Sequence, residues 1–321
     1  MLKGKNIFIT GGAGFIASYL VERLAGHNRI VIYDNFLRDS IHFTKYPDDR
    51  RVKIIRGDVL DTNLLKKSVK DCSVFIHCAA IAGIYSAVKK TSHTIHVNIL
   101  GTSNLLEAIK GFQVDRFIDF STSEVYGPFI YKDTEKDLTT QGPVYENRWA
   151  YSVSKLASEH LTYSYYQEYK IPVVIVRPFN VYGPRQTGEG AIQRMVIQTL
   201  TNKPITLYGD GTQIRAWCYV EDFVDGIIAC LKKKEAVGQI FNLGNPQGTT
   251  TNLKLAEMIK RLTGSDSPIL FKPHPGPEVE VRVPSISHAQ NLLGFEPKIT
   301  LEEGILKTIH WYRQHKELKV E

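Results

Sequence analysis

The apolar run Ile7-Phe8-Ile9 stops at Thr10-Gly11-Gly12-Ala13-Gly14 and restarts at Phe15-Ile16-Ala17 as an amphipathic stretch. A strand that turns through glycines straight into a helix has few folds open to it. Gly11 permits the tight turn and Gly14 lets the backbone come close to a pyrophosphate. The amides at Phe15 and Ile16, at the positive end of the helix dipole, then face the phosphates. Ala17 stands where a third glycine often packs helix against strand. A second apolar run, Ile30-Val31-Ile32-Tyr33, ends at Asp34-Asn35, about twenty residues beyond Gly14, where an acid bonds the adenosine ribose. A carboxylate there repels a 2′-phosphate, so the expected cofactor is NAD rather than NADP.

The same rhythm continues. Short apolar runs at Ile7 to Ile9, Ile30 to Tyr33, Val52 to Ile55, Val74 to His77, Arg116 to Phe120 and Val173 to Arg177 alternate with helical stretches. Such alternation demands right-handed crossovers and a parallel sheet covered on both faces. The expected fold is α/β, a doubly wound parallel Rossmann sheet over 1–178, joined by a segment near 215–245. Beyond Pro178 the rhythm gives way to Gly/Pro punctuation, as in Tyr182-Gly183-Pro184 and Tyr208-Gly209-Asp210-Gly211. Residues 179–321 are therefore expected to form mainly a smaller C-terminal substrate-binding lobe, over the carboxyl ends of the strands.

Composition excludes several classes. With 321 residues, 43% of them hydrophobic, the chain can bury a large core. No apolar run reaches the roughly 18 residues a membrane helix needs, and no signal peptide precedes the first strand, so no membrane partner and a cytoplasmic location are expected. Cys72, Cys78, Cys218 and Cys230 form no C-x-x-C pair and no Cys/His cluster has zinc spacing, so no metal is expected and the thiols read as reduced. The formal charge of +7 reads as a solvated surface that also suits an anionic substrate. No basic stripe is interleaved with stacking aromatics, so nucleic acid is not an expected partner.

Tyr151-Ser152-Val153-Ser154-Lys155 begins a helical run to Tyr169, and i to i+4 spacing puts phenol and ammonium on one face. A neighbouring cation is expected to lower the phenol pKa, as a general base for a sugar hydroxyl requires. The bare pattern recurs at Tyr85/Lys89, Tyr166/Lys170 and Tyr312/Lys316. Tyr151 alone lies between two strand ends rich in polar groups, Ser121-Thr122-Ser123-Glu124-Val125-Tyr126-Gly127 before it and Arg177-Pro178-Phe179-Asn180 after it.

With these segments together, the chain resembles the extended short-chain dehydrogenase/reductases of the nucleotide-sugar epimerase/dehydratase family over nearly its whole length. The shared marks are the glycine loop, Asp34, Gly57-Asp58-Val59, His77-Cys78-Ala79-Ala80, Asn98, the Ser-Thr-Ser-Glu segment, Tyr151/Lys155 and Arg177-Pro178-Phe179-Asn180. The resemblance implies NAD held also by Asp58 and Val59 at the adenine, and by Ala79, Ala80, Asn98 and Pro178. It implies Thr122, Tyr151 and Lys155 as the hydride-transfer triad. On the substrate side it implies Asn180, Arg185, Tyr208, Arg215 and Arg282, the last two suited to a diphosphate through paired charge-assisted bonds. It further implies a homodimer through a four-helix bundle built on the stretch from Asn98 to Lys110 and the Tyr151 helix, with Tyr163, Tyr165 and Tyr166 as candidates for the seam.

Members of this family oxidise a hexose, usually at C4, and the 4-keto sugar then decides the class. A C5 carboxylate makes a β-keto acid that loses CO2, a C6 hydroxyl permits loss of water, and rotation of the ketone gives the 4-epimer. In the family's 4,6-dehydratases an Asp-Glu pair commonly stands where Ser123-Glu124 stands here. The Thr-Ser-Glu form resembles the UDP-glucuronate decarboxylases and also GDP-mannose dehydratases, and the stretch with Arg148-Trp149-Ala150 before Tyr151 resembles the decarboxylase of the aminoarabinose pathway. One departure is Ser287, which ends Pro284-Ser285-Ile286-Ser287 where decarboxylases of the aminoarabinose type have an arginine expected to assist the reaction. The expected activity is UDP-uronate decarboxylation, with catalytic Ser123 and Glu124 added to the triad. The alternatives are 4,6-dehydration, 4-epimerisation and a non-catalytic NAD-binding module. Against the last stands the retention of Thr122, Tyr151 and Lys155.

Overall fold

The computed structural model describes residues 2–315 apart from 275, 277 and 278. Its first half runs β1 Asn6–Thr10, α1 Phe15–Leu24, β2 Arg29–Asp34, β3 Val52–Arg56, α2 Thr62–Ser68, β4 Val74–His77, α3 Ile84–Lys89, α4 Thr91–Ile109, β5 Arg116–Phe120, β6 Phe129–Asp133, α5 Ala150–Tyr169 and β7 Val173–Pro178. There follow β8 Val181–Tyr182, α6 Ala191–Leu200, β9 Ile205–Tyr208, β10 Ile214–Ala216, β11 Cys218–Tyr219, α7 Val220–Lys232, β12 Ile240–Leu243, β13 Thr249–Thr251, α8 Asn252–Thr263, β14 Ile269–Lys272, β15 Val281–Pro284, α9 Ser287–Leu293 and α10 Leu301–Gln314.

Seven strands form the central sheet in the order β12-β7-β5-β4-β1-β2-β3, every pair parallel. The near-continuous burial of β1, β4, β5 and β7 is the signature of a parallel sheet covered on both faces. All six strands expected from the sequence are present in it. The seventh, β12, was hidden in the punctuated half and closes the edge beside β7. The strand order reverses at β1 and β4, so a crevice opens at their carboxyl ends, where open α/β sheets take ligands. Thr10 and His77, the last residues of these two strands, are joined there by a 2.7 Å bond between Thr10 Oγ1 and His77 Nδ1.

A second sheet, β13-β10-β15-β6, lies in the smaller lobe. Three of its strands come from beyond residue 178, whereas β6 comes from the first half and pairs in parallel with β15. This exchange brings the turn after β5 against β15, and the site depends on that contact. Two apolar clusters lie on either side of the central sheet, one around α1, α7 and the lobe and the other around α2, α4 and Phe8, Phe75 and Phe117.

Candidate active site

The cofactor half is built by the glycine turn. Gly11 has φ +65°, and a Cβ there would lie 2.6 Å from the Ala79 nitrogen, so the turn and the end of β4 approach as only glycine allows. Gly14 is the N-cap of α1; no side chain caps the helix and no acid lies in its first turn. A helix start left open in this way, with its amides uncapped, fits a pyrophosphate. Asp34, at the end of β2, accepts from the amides of Ala13 (3.0 Å) and Phe36 (2.7 Å), so it also pins the glycine turn. Burial pushes its carboxyl pKa up, against those two amide bonds. Beside it, Asn35 Nδ2 reaches Asp58 Oδ2 at 3.3 Å, and Val59 packs under Gly101. Asp34, Asn35, Asp58 and Val59 thus gather at the carboxyl ends of β2 and β3, where an adenosine could rest.

Asn98 is placed differently from its expected role. Its Oδ1 accepts from the Ile81 amide (2.9 Å), and its Nδ2 donates to Ser154 Oγ (2.9 Å) and the Ile81 carbonyl (3.3 Å). The fully buried amide therefore braces the loop carrying Ala79 and Ala80 against α5, rather than facing the crevice. His77 is similarly enclosed between Thr10 and Thr102, and burial with the Lys155 charge takes its pKa down to about 3.

The helix that presents Tyr151 is fixed by polar contacts, since its buried residues include Ser152, Ser154, Lys155, Ser158, Glu159 and Thr162. Ser158 donates to the Asn98 carbonyl (3.1 Å), Thr162 to Asp119 Oδ2 (2.8 Å), and Arg177 grips Glu159 through two bonds of 2.8 and 2.7 Å. Thr122, two residues beyond β5, caps the 3-10 turn Ser123–Tyr126 by accepting from the Glu124 amide (3.2 Å). Its hydroxyl stands near enough to the Tyr151 phenol to favour the phenolate. Gln141 joins the two elements, donating to the Val125 carbonyl (2.9 Å) and accepting from Ser152 Oγ. One expectation is corrected here. Burial takes the Tyr151 pKa up to about 12 against the lowering effect of the Thr122 hydroxyl, while the buried Lys155 charge acts on His77, Cys78 and Asp119. Spacing along a helix gave the shared face but not the desolvation.

In the same turn Glu124 meets two arginines. Arg282 Nη1 donates to Glu124 Oε1, and Arg148 Nη2 lies 3.3 Å from Oε2. Burial pushes the Glu124 pKa up, but Arg282 and Arg148 outweigh it and hold the carboxyl at about 2. Arg282 was expected at a diphosphate and is instead the partner of Glu124. Its Nε and Nη2 are buried without a hydrogen-bond acceptor. Arg215 is its register neighbour across β10 and β15, and it donates to the carbonyls of Ile214 (2.9 Å) and Glu280 (3.3 Å). Asn180, at φ +40°, donates to the Ala216 carbonyl (2.9 Å) on the same side. Tyr208, partly exposed at the end of β9, stands edge-on to His274.

Arg185 is not brought into this group. Its guanidinium lies 3.6 Å over the Tyr19 ring and pairs with Glu22 at 2.8 Å, both on α1. Pro178 ends β7 beside Leu243 of β12. Ser123 is buried next to Glu124. Arg148 was read only as part of a motif, although its place three residues before Tyr151 put it at the mouth of the catalytic helix. Of the seam tyrosines, Tyr165 bonds Glu107 internally and Tyr166 packs against Gly238, leaving Tyr163 partly exposed. Of the other Tyr/Lys pairs, Lys316 and the Tyr85 side chain lie outside the described residues. Among the described residues no group of His, Cys, Asp or Glu could hold a metal ion. All four cysteines are free, and among the described residues no helix is long and apolar enough to cross a membrane.

The model of the NAD dependent epimerase/dehydratase family matches residues 7–244. Among curated relatives, UDP-glucuronic acid decarboxylase 1 of Arabidopsis thaliana is 37% identical over 97% of this chain and 70% of its own length. UDP-N-acetyl-alpha-D-glucosaminuronate decarboxylase of Bacillus cytotoxicus is 35% identical over 97% of this chain and 98% of its own. Among solved structures, UDP-glucuronic acid 4-epimerase from Bacillus cereus, in complex with UDP-glucuronic acid and NAD, superposes with a TM-score of 0.88 at 33% identity, covering 97% of this chain and 99% of that one.

Proposed function

The chain belongs to the NAD dependent epimerase/dehydratase family, and on that premise we propose that it decarboxylates a UDP-linked uronic acid through a transient 4-keto sugar. It is an NAD-dependent enzyme that modifies a nucleotide sugar. NAD, when bound, takes a hydride from the sugar ring and later returns it. The glycine turn, Phe15, Ile16, Asp34, Asn35, Asp58, Val59, Ala79, Ala80 and Pro178 would hold it, with Asn98 bracing the loop and Lys155 beneath.

The observation that carries the decarboxylase reading is the buried contact of Arg282 with Glu124, in the turn that Thr122 caps. The proton of the C4 hydroxyl passes to Tyr151 as its phenolate, a form that the positive nicotinamide ring of bound NAD would favour over the ligand-free state, and Thr122 orients the oxygen. With C4 a ketone, the C5 carboxylate is that of a β-keto acid. Its C–C bond breaks to release CO2, and the electron pair passes onto the C4 oxygen, which Tyr151 and Thr122 receive as donors. Arg282 would give a carboxylate at C5 its cation, the part expected of an arginine at position 287, where this chain has Ser287. Glu124, held ionised, keeps the two guanidinia in place beside Ser123. Asn180 and Arg215 serve the diphosphate and Tyr208 the base.

A second reading, 4-epimerisation of the same uronate, is favoured by the likeness to the Bacillus cereus enzyme. The 4,6-dehydratase reading is weakened by Ser123, which has no carboxyl proton to give a departing hydroxyl. Mass spectrometry of the protein with NAD and UDP-glucuronate, UDP-N-acetylglucosaminuronate or UDP-glucose separates the three. Loss of CO2 supports the proposal, unchanged mass with a new anomeric signal supports epimerisation, and loss of water supports dehydration.

The remaining proposals concern organisation. We take 1–178 with 215–245 as the cofactor-binding unit and the rest as the sugar-nucleotide lobe. We assign a cytoplasmic location, consistent with four free cysteines. A homodimer would form through α4 and α5, where Leu100, Val153, Tyr163 and Tyr169 are exposed.

A further inference from the structure

A carboxylate and a guanidinium left to themselves close into a two-bond fork, which engages both carboxylate oxygens and two donors of the arginine. The Arg177–Glu159 pair in this chain does so, with Nε on Oε1 and Nη2 on Oε2. Arg282 and Glu124 do not. Arg282 reaches only Oε1, through Nη1, because Oε2 is turned toward Arg148 Nη2 at 3.3 Å. The result is an arginine, 5% exposed, whose Nε and Nη2 are buried with no acceptor. Two unmet donors on a buried cation are costly in an empty protein and are what an arriving anion would satisfy.

We propose that Arg148 is a positioning residue: by holding Oε2 of Glu124 it keeps Arg282 from closing on that carboxylate, and so reserves two Arg282 donors for the carboxylate of the sugar. This inference rests on the uronate reading given above. Arg148 is suited to the task because its element is rigid. It lies in the 3-10 turn Asn147–Trp149 that leads straight into α5, its guanidinium is 5.0 Å over the Trp149 ring, and Trp149 Nε1 donates to Glu146 at 2.7 Å. Gly142 lies so close under that indole that any side chain there would collide with it. The geometry that sets Tyr151 at the head of α5 therefore also sets how Glu124 is shared.

The test is equilibrium binding of UDP-glucuronate, UDP-glucose and UDP in the presence of NAD, all in a Tyr151→Phe background so that nothing is consumed. The parent should bind UDP-glucuronate about tenfold more tightly than UDP-glucose. Arg148→Met should erase that preference and leave UDP and UDP-glucose within about twofold. Adding Glu124→Gln to Arg148→Met should restore the preference, because the competitor that captured Arg282 is weakened. A direct contact between Arg148 and the substrate would give loss without restoration. Preference intact in Arg148→Met, or lost there and not restored by Glu124→Gln, overturns the proposal. If Arg148→Met no longer binds UDP, Arg148→Lys decides: one ammonium donor suffices for Oε2, so it should keep the preference, and a UDP-binding Arg148→Lys without it also overturns the proposal. A parent that binds UDP-glucuronate and UDP-glucose alike overturns the uronate reading itself, and this inference with it.

Discussion

Arg282, on β15, donates to Glu124, a residue 158 positions earlier in the 3-10 turn after β5. The bond ties β15 to that turn and fixes the charge state of Glu124. Burial alone would raise its carboxyl pKa, yet Arg282 and Arg148 hold it at about 2. A carboxyl depressed in the fold contributes stability that is present above its unfolded pKa and lost as pH falls toward the folded one. Glu124→Gln should therefore cost about 3 kcal/mol at neutral pH, and the difference from wild type should shrink as pH falls below about 4.5. Urea unfolding at intervals from pH 7 to pH 3 checks this. A difference that does not change over that range contradicts an ionised Glu124.

The Thr122 hydroxyl stands near the Tyr151 phenol and favours its phenolate, against the effect of burial. Replacing Tyr151 by Phe removes the proton acceptor with little change in shape. Turnover should fall by roughly 10²- to 10⁴-fold, while binding of NAD and the sugar nucleotide stays within about twofold. Calorimetry for binding and single-turnover rates for chemistry separate the two. With the phenol taken up to about 12 by burial, an ultraviolet difference titration of the ligand-free protein should show no Tyr151 phenolate below about pH 10. A Tyr151-dependent phenolate signal near pH 7 would contradict this.

His77 offers a second pH marker, independent of substrate. Burial and then the Lys155 charge take its pKa down to about 3. The ring should stay neutral by nitrogen NMR from pH 7 down to about pH 4. Its folded pKa is depressed, so the unfolded chain binds the proton first. The corresponding stability is present above about pH 6.5 and lost progressively as pH falls toward 3. His77→Gln should flatten the fall in unfolding free energy between pH 6.5 and pH 4. An equally steep fall in that variant would place the proton uptake elsewhere.

Much of this was legible in the sequence because it is local. The six strands, the glycine turn, the position of Asp34 and the Tyr151/Lys155 face each follow from a few adjacent residues. The segment expected near 215–245 contains β12, but the strand itself was not legible, because it is four residues long and lies in a punctuated region with only its pairing to β7 to declare it. The sharing of Glu124 was not legible, since it needs β6 to pair with β15 and bring positions 124, 148 and 282 together. Desolvation escaped for the same reason: spacing placed Lys155 beside Tyr151 but could not weigh burial. Arg185 and Asn98 show the reverse case, residues of suitable type and position that fold into contacts with Tyr19 and Glu22 or with Ile81 and Ser154.

The central claim is loss of a carboxyl carbon, and it is tested most directly with UDP-glucuronate labelled at that carbon. The protein, supplied with NAD, should release labelled CO2 in step with formation of a UDP-pentose, and Arg282→Met should reduce the release by at least about a hundredfold. A labelled carboxyl that stays on the sugar while the substrate is converted to its 4-epimer would contradict the decarboxylase account.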